Sequence, residues 1–144
     1  MIYLICGFLL VVATVLIHVL GIFLITYVEK FLIQQFASSI MVEAILFVIV
    51  TYLLMVVHLV SIFLWAFVYV EIGAMDNFSD AFFYSISSYS TVGFYAEGPA
   101  GPIGRLSGAF ESCVGMVMFG LSASYLFGIR GKLNANALAM QTST

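Results

Sequence analysis

Three ionisable side chains lie well inside the long apolar runs of this sequence, and their types could support chemistry. His18 and His58 fall near the middle of the first and second runs, and Glu111 lies about two helical turns into the third. Two histidines on two membrane helices can ligate a haem iron axially. The coarse helix boundaries place these histidines at different depths, which favours neutral, hydrogen-bonded side chains over a haem site. Glu111 is a functional candidate by default, because an ionisable residue is costly at membrane depth.

The composition of the chain indicates a membrane protein. Of the 144 residues, 64% are hydrophobic and only 8% are charged. A soluble domain carries about 25% charged residues, so this chain has too little polar surface to face water on all sides. Its net charge of -3 and its scattered basic residues exclude a nucleic-acid-binding surface. Cys6 and Cys113 lie far apart, without the spacing of a metal or redox site.

Three apolar runs are long enough to cross the hydrocarbon core of a membrane as helices. They extend from Ile2 to Val28, from about Met41 to Val70, and from Ile103 to about Gly131. The first run lacks the basic start of a signal peptide, so we expect it to be retained as a helix that ends at Glu29 and Lys30.

The segment between the second and third runs, residues 76–100, fits neither a spanning helix nor a solvated loop. It mixes aromatic and aliphatic side chains with many hydroxyl groups and then reaches Gly93. We therefore predict a re-entrant segment, in which a short helix capped by Asp76 or Ser79 enters the membrane and an extended strand returns to the same side. Such a backbone survives at membrane depth only when it is buried in protein or lines a water-filled path. The segment therefore predicts a pathway across the membrane.

The extended return, residues 90–94, reads Ser-Thr-Val-Gly-Phe. It resembles the pore region of potassium channels, whose filter is commonly Thr-Val-Gly-Tyr-Gly. The stretch from about His58 to Phe127 is similar to the pore domain of small bacterial channel-like proteins. The resemblance implies an all-α membrane protein with three transmembrane helices, and with a re-entrant pore helix and filter loop between the second and third.

The same resemblance divides the chain and assigns its filter. Residues 1–40 would form an extra N-terminal transmembrane helix and its connection, residues 41–132 the pore domain, and residues 133–144 a short polar tail. The ion-binding filter for K⁺ would consist of Thr91, Val92, Gly93 and Phe94. Backbone carbonyls from four chains would replace the hydration shell of the ion, and Gly93 can adopt the positive φ angle that this arrangement needs.

Further residues are assigned around the filter by the resemblance. The outer mouth would be Tyr95 and Glu97, the pore-helix support Phe83, Tyr84, Ser87 and Glu111, and the gating bend Gly115. Tyr95 stands where the family commonly has its second glycine, and left-handed geometry there costs a residue with a Cβ about 1–2 kcal/mol. Potassium-selective and non-selective conduction therefore both stay open. For Glu111 we expect a structural brace, with an ion-binding or gating role as the alternative.

The function implied by the resemblance is a homotetrameric cation channel that conducts potassium passively and is not an enzyme. No cofactor is expected beyond the permeant K⁺ or another monovalent cation. Expected partners are monovalent cations, membrane lipid, further copies of the chain, and an unidentified membrane partner contacting the first helix, but no nucleic acid. The alternative is a non-conducting accessory subunit of a larger membrane complex that retains the pore-domain fold.

The basic residues predict the orientation of the chain in the cell (inner or plasma) membrane. If the re-entrant segment opens outward, Lys30, Arg130 and Lys132 lie inside and only Arg105 lies outside. This distribution agrees with the positive-inside tendency of membrane proteins. We therefore expect a multi-pass protein with its N-terminus outside and its C-terminus in the cytoplasm.

Overall fold

The computed structural model of the chain describes residues 2–35, 40–94 and 98–142. Within these ranges the chain forms four helices and no strand: α1 (Ile2–Gln35), α2 (Ile40–Glu71), α3 (Phe78–Tyr89) and α4 (Gly101–Thr142). The predicted all-α fold class is therefore confirmed.

Three of these helices contain segments long and apolar enough to cross a membrane, as predicted. The segments are Gly7–Ile33, Met41–Glu71 and Gly104–Gly131. At 1.5 Å per residue the shortest is about 40 Å long, which exceeds the hydrocarbon thickness of about 30 Å. Most of their side chains are not buried by the chain itself. Lipid or further subunits must therefore cover them.

Helices α1 and α4 both extend beyond their predicted ends. The prediction that the first span ends at Glu29 and Lys30 is wrong, because α1 continues to Gln35. Glu29 is buried and accepts a hydrogen bond of 2.8 Å from the Tyr125 hydroxyl of α4. Because Tyr125 hydrogen-bonds the Glu29 carboxyl group inside the bundle, α1 can continue past Glu29. Helix α4 stays helical to Thr142 and includes residues predicted to form a polar tail.

The main hydrophobic core lies where α3 packs against both α2 and α4. It buries side chains of all three helices: Ile62, Trp65, Ala66, Tyr69, Ala81, Tyr84, Tyr89, Val114 and Met118. Helix α3 has only 12 residues, too few to be stable alone. Its stability therefore comes from burial between its two neighbours.

Helix α1 is an integral part of the bundle and packs against α2 and α4. Gly21 lies so close to α2 that a Cβ on Gly21 would come within 2.5 Å of Val57 Cγ2. The indole N–H of Trp65 donates a hydrogen bond of 2.9 Å to Thr14 Oγ1. An apolar and a polar contact together hold α1 against α2.

Helix α3 starts at the end of the bundle where α2 ends and α4 begins. Gly73 has a φ angle of +66°, which lets the chain leave α2. The Ala100 N–H donates to the Ala74 carbonyl at 2.9 Å and joins the two connections. From there α3 runs inward, because its last residue, Tyr89, lies against Gly115 near the middle of the apolar segment of α4.

Candidate functional site

Helix α3 begins at an asparagine cap. The backbone of Asn77 is extended, its side-chain oxygen accepts from the Asp80 N–H at 2.9 Å, and its Nδ2 donates to Asp80 Oδ2 at 2.6 Å. This exchange satisfies donors of the first turn and places an acidic side chain at the positive end of the helix. The prediction that Asp76 or Ser79 caps the helix is wrong, because Asn77 has the extended backbone that a cap needs and occupies the cap position.

The other end of α3 is a Schellman motif that leads directly into the predicted filter. Ser90 is the C-cap residue, the Thr91 N–H donates to the Ser88 carbonyl at 2.9 Å, and the Val92 N–H donates to the Ser87 carbonyl at 3.0 Å. The residue after the cap is usually glycine, but here it is Thr91, with a φ angle of +62°. A β-branched residue in this conformation is strained, by about 1–2 kcal/mol. Strained residues of this kind cluster at functional sites.

The residues predicted to coordinate ions lie together on the surface of the single chain. Val92 is 54% exposed and Phe94 is 75% exposed, and Thr91 and Gly93 are exposed as well. Gly93 has the expected positive φ angle, +74°, and its N–H donates to the Ser87 carbonyl at 3.1 Å. The prediction of an extended strand is wrong, because left-handed backbone and hydrogen bonds back to Ser87 curl the segment over the end of α3. Tyr95 and Glu97, predicted at the outer mouth, lie outside the described residues.

Glu111 lies behind α3 and connects all three helices of the core. Its side chain is fully buried, its Oε2 accepts from the Tyr69 hydroxyl of α2 at 2.8 Å, and its Oε1 contacts the Ser85 hydroxyl of α3. Ser85 Oγ also donates to the Ile62 carbonyl of α2 at 2.9 Å. A carboxyl group that bridges α2, α3 and α4 has the geometry of a brace.

The other residues predicted to support α3 differ in their surroundings. Tyr84 is buried, and its hydroxyl lies over Gly108, where a Cβ would approach to 2.0 Å. Phe83 is 57% exposed on the single chain. Ser87 is buried and its carbonyl accepts from the Val92 and Gly93 N–H groups, while its Oγ has no hydrogen-bond partner among the described residues. Tyr84 and Ser87 thus act within the chain, whereas Phe83 faces outward.

Small residues of α4 allow α3 to approach closely. Ser112 Oγ donates to the Ser88 carbonyl at 2.8 Å, and Ser88 Oγ donates to the Gly108 carbonyl at 2.9 Å. Farther along α4, a Cβ on Gly115 would lie 2.1 Å from the Tyr89 carbonyl oxygen. Close packing therefore accounts for a glycine at position 115, and its role as a gating bend stays a prediction.

A known protein family matches the part of the chain in which two spans enclose a short helix and an exposed loop. A family model described as "Ion channel" matches residues 55–129, which is 75 of the 144 residues. The chain belongs to the ion channel family. The match confirms the predicted resemblance to channel pore domains, and it covers about half of α2, all of α3 and most of the spanning segment of α4. No curated protein and no solved structure was found to match this channel chain.

The channel buries its two histidines side by side. Their ring centroids are 5.2 Å apart, so the prediction that His18 and His58 lie at different depths is wrong. His58 Nδ1 lies 3.1 Å from Tyr89 Oη, and His58 Nε2 lies 2.9 Å from Ser122 Oγ. Both ring nitrogens of His58 are therefore engaged within the protein. The pair does not fit axial ligation of a haem.

Sequence reasoning missed that Tyr89 and Ser122 join these histidines. A signal was present, because His18, His58 and Ser122 are polar residues within three apolar runs. Polar side chains at membrane depth form hydrogen bonds between helices, so the three residues could have been paired. The rotational phase of each helix, which decides which side chains meet, could not be read from the sequence.

For the channel's strained threonine, we expect Thr91→Gly to stabilise the fold while impairing ion discrimination. Glycine relieves the left-handed strain of about 1–2 kcal/mol. It also removes the hydroxyl and methyl groups of the threonine side chain. Thermal unfolding in detergent and K⁺/Na⁺ flux in liposomes measure the two effects. Thr51→Gly is the control, since Thr51 lies within α2 and glycine should destabilise a helix interior by about 0.5 kcal/mol. A Thr91→Gly variant with an unfolding temperature at or below that of the wild type would contradict the assigned strain.

Proposed function

We propose that the chain assembles as a homotetramer that conducts monovalent cations, K⁺ foremost, through a filter of backbone carbonyls. The filter residues are Thr91, Val92, Gly93 and Phe94. The observation that carries the proposal is the left-handed backbone at Thr91 and Gly93, two alternate residues of an exposed loop that follows α3. Left-handed geometry at alternate positions can direct successive carbonyls to one side of the chain. Carbonyl oxygens gathered in this way can replace the hydration shell of K⁺.

The electrostatics around the loop favour a cation. The C-terminal end of α3 carries a partial negative charge of about -0.5 from the helix dipole, and the filter begins directly after it. At the start of α3, Asp76 and Asp80 line an open cavity of about 480 Å³. Clustered negative charge raises the local cation concentration. Tyr95 and Glu97 are proposed as the outer mouth beyond this loop.

The surface that a single chain leaves uncovered supports the proposed tetramer. One filter segment cannot surround an ion, whereas four copies around an axis form a closed ring of carbonyls. Phe83, Val92 and Phe94 are each more than half exposed on the single chain. Neighbouring copies would bury these apolar side chains, and lipid would cover the outer faces of the spans.

The proposed topology makes α3 re-entrant, entering the membrane from outside. The N-terminus then lies outside the cell membrane, and Lys30, Arg130 and Lys132 lie on the cytoplasmic side. Arg105 would be the one basic residue outside, close to the end where α3 begins. The Glu43–Arg130 ion pair, with atoms 3.9 Å apart, would lie at the cytoplasmic end of the bundle.

Cation flux through purified protein in liposomes tests the proposal. We expect K⁺ flux that exceeds Na⁺ flux and is abolished by Gly93→Asp, because a side chain and a charge would enter the filter. Gly73→Asp is a matched control, since Gly73 also has a positive φ angle, +66°, and, among the described residues, no atom beyond its chain neighbours lies within 4 Å of the position of a Cβ there or at Gly93. Gly73 lies outside the proposed filter. This control should still conduct and should keep the K⁺ preference of the wild type, although its added negative charge can raise the total flux.

Other results would change the assignment. Equal K⁺ and Na⁺ flux would keep the channel and remove potassium selectivity. No flux in folded protein, together with one copy per complex among other membrane proteins, would overturn the channel proposal in favour of the accessory subunit.

A further inference from the structure

A continuous set of buried polar groups joins α1 to the end of α3. His18 Nε2 of α1 lies 3.5 Å from Ser122 Oγ of α4, which lies 2.9 Å from His58 Nε2 of α2. His58 Nδ1 in turn lies 3.1 Å from Tyr89 Oη, at the last residue of α3. All four side chains are buried, so each helix contributes one member of a relay closed to water. We call these four residues the polar relay.

The unpartnered nitrogen of His18 sets the direction of the relay's hydrogen bonds. His18 Nδ1 is buried and has no hydrogen-bond partner among the described residues. Ser122 has one hydroxyl proton, so it donates to one histidine and accepts from the other. Donation to His18 would place a proton on Nδ1 and leave a buried N–H unsatisfied, which is rarer and costlier than an unused acceptor.

The favoured direction therefore runs from α1 to α3. His18 Nε2–H donates to Ser122, Ser122 donates to His58 Nε2, and His58 Nδ1–H donates to the Tyr89 hydroxyl oxygen. All three hydrogen bonds of the polar relay form in this arrangement. Orientation of the His58 ring, and of its donor to Tyr89, then depends on a group supplied by α1.

Tyr89 transmits this orientation to the start of the filter. Its ring packs against Phe119 with centroids 5.6 Å apart, and its carbonyl oxygen lies against Gly115. The C-cap residue Ser90 follows it directly, and Thr91 comes next. A shift of Tyr89 would therefore move the backbone that begins the filter, because no residue separates Tyr89 from the cap.

We propose that His18 and His58 are positioning residues that hold Tyr89 in place, and through it the backbone of residues 90–93. Helix α1 lies outside the matched channel region. Through His18 it supplies the first hydrogen bond of the polar relay that supports the filter backbone. The inference rests on the proposed function of residues 91–94 as the filter. It adds a contribution from a helix outside the two-span unit.

A second polar contact between α1 and α4 supplies a matched control. The Tyr125 hydroxyl of α4 donates to Glu29 at 2.8 Å and lies 3.0 Å from Thr26 Oγ1, both on α1. This contact also fastens α1 to the bundle but does not reach α3. Tyr125→Phe therefore weakens the attachment of α1 without changing the polar relay.

The test compares His18→Leu, His18→Gln and Tyr125→Phe in the full chain in liposomes. One readout is the K⁺/Na⁺ permeability ratio, and the other is hydrogen exchange at the amides of Thr91, Val92 and Gly93. We expect His18→Leu to lower the ratio and to speed exchange by about threefold to tenfold, the scale of one lost hydrogen bond. His18→Gln should restore both, because its amide nitrogen can donate to Ser122. Tyr125→Phe should leave both unchanged.

The experiment separates this inference from the proposed function. If the wild type conducts no ions, or does not discriminate K⁺ from Na⁺, exchange at these three amides still decides the positioning role. Equal effects of His18→Leu and Tyr125→Phe would overturn it, as would unchanged exchange in His18→Leu. Should His18→Leu fail to fold, Ser122→Ala interrupts the relay by removing a single oxygen, and the same change in exchange is expected.

Discussion

Replacing Gly115 with alanine is expected to destabilise the fold by about 3 kcal/mol. A Cβ at this position would lie 2.1 Å from the carbonyl oxygen of Tyr89 and 3.0 Å from its carbonyl carbon. These are backbone atoms, so no side-chain rotation can relieve the clash. Tyr89 is itself fixed by burial in the core and by its contact with His58. Helix α4 would have to retreat from α3, and the loop that follows α3 would lose its support.

Gly120→Ala is the control for this effect, because no atom of the described residues, apart from the adjacent backbone of α4, lies within 4 Å of the position that its Cβ would occupy. Alanine should stabilise α4 there by about 0.5–1 kcal/mol, since glycine is a poor helix former. Thermal unfolding in detergent should therefore shift in opposite directions for the two variants. An unfolding temperature unchanged by Gly115→Ala, with altered channel opening, would instead support the gating bend.

The number and type of the main elements could be predicted because each depends on a long, simple pattern. An apolar run of about 20 residues has few alternatives to a membrane helix, and all three runs form such helices. The hydroxyl groups and glycine of residues 76–100 argued against a fourth span, and a short helix lies there. The positive φ angle of Gly93 was also anticipated, since a motif with glycine at that point suggests left-handed geometry.

Details that depend on which side chains meet could not be predicted. The predicted caps, Asp76 and Ser79, carry capping side chains like that of Asn77, the observed cap, and only the backbone distinguishes the three positions. The end of α1 was misplaced because Glu29 finds its partner 96 residues away on α4. The depths of His18 and His58 were wrong for a related reason, since depth depends on how two helices slide and tilt against each other. No local pattern encodes that offset.

The strained threonine is the detail with the most direct bearing on the site. The Schellman motif at the end of α3 favours glycine directly after the C-cap residue. The sequence has threonine there and glycine two residues later, at position 93. Local preference and observed backbone therefore disagree at Thr91. Such disagreements are expected at functional sites rather than in ordinary turns. The structure thus draws attention to Thr91 for a reason independent of any sequence motif.

Glu111→Leu is expected to destabilise the channel by about 3 kcal/mol, the scale of two lost buried hydrogen bonds. Ser85 has one hydroxyl proton, yet both the Ile62 carbonyl and Glu111 Oε1 lie within its reach. Both contacts form only if the Glu111 carboxyl is protonated and donates to Ser85, while Tyr69 donates to Oε2. A neutral carboxyl group also avoids the cost of a buried charge.

Glu111→Gln distinguishes the brace from a charged role, because an amide reproduces the neutral carboxyl group in shape and in hydrogen bonding. Its carbonyl oxygen can accept from Tyr69 and its N–H can donate to Ser85, so its stability should stay within about 1 kcal/mol of the wild type. Leucine fills a similar volume but makes neither bond. Thermal unfolding in detergent and cation flux in liposomes measure both variants. A leucine variant as stable as the wild type would contradict the bracing role of Glu111. A stable glutamine variant that no longer conducts would show that ion binding or gating needs the charge.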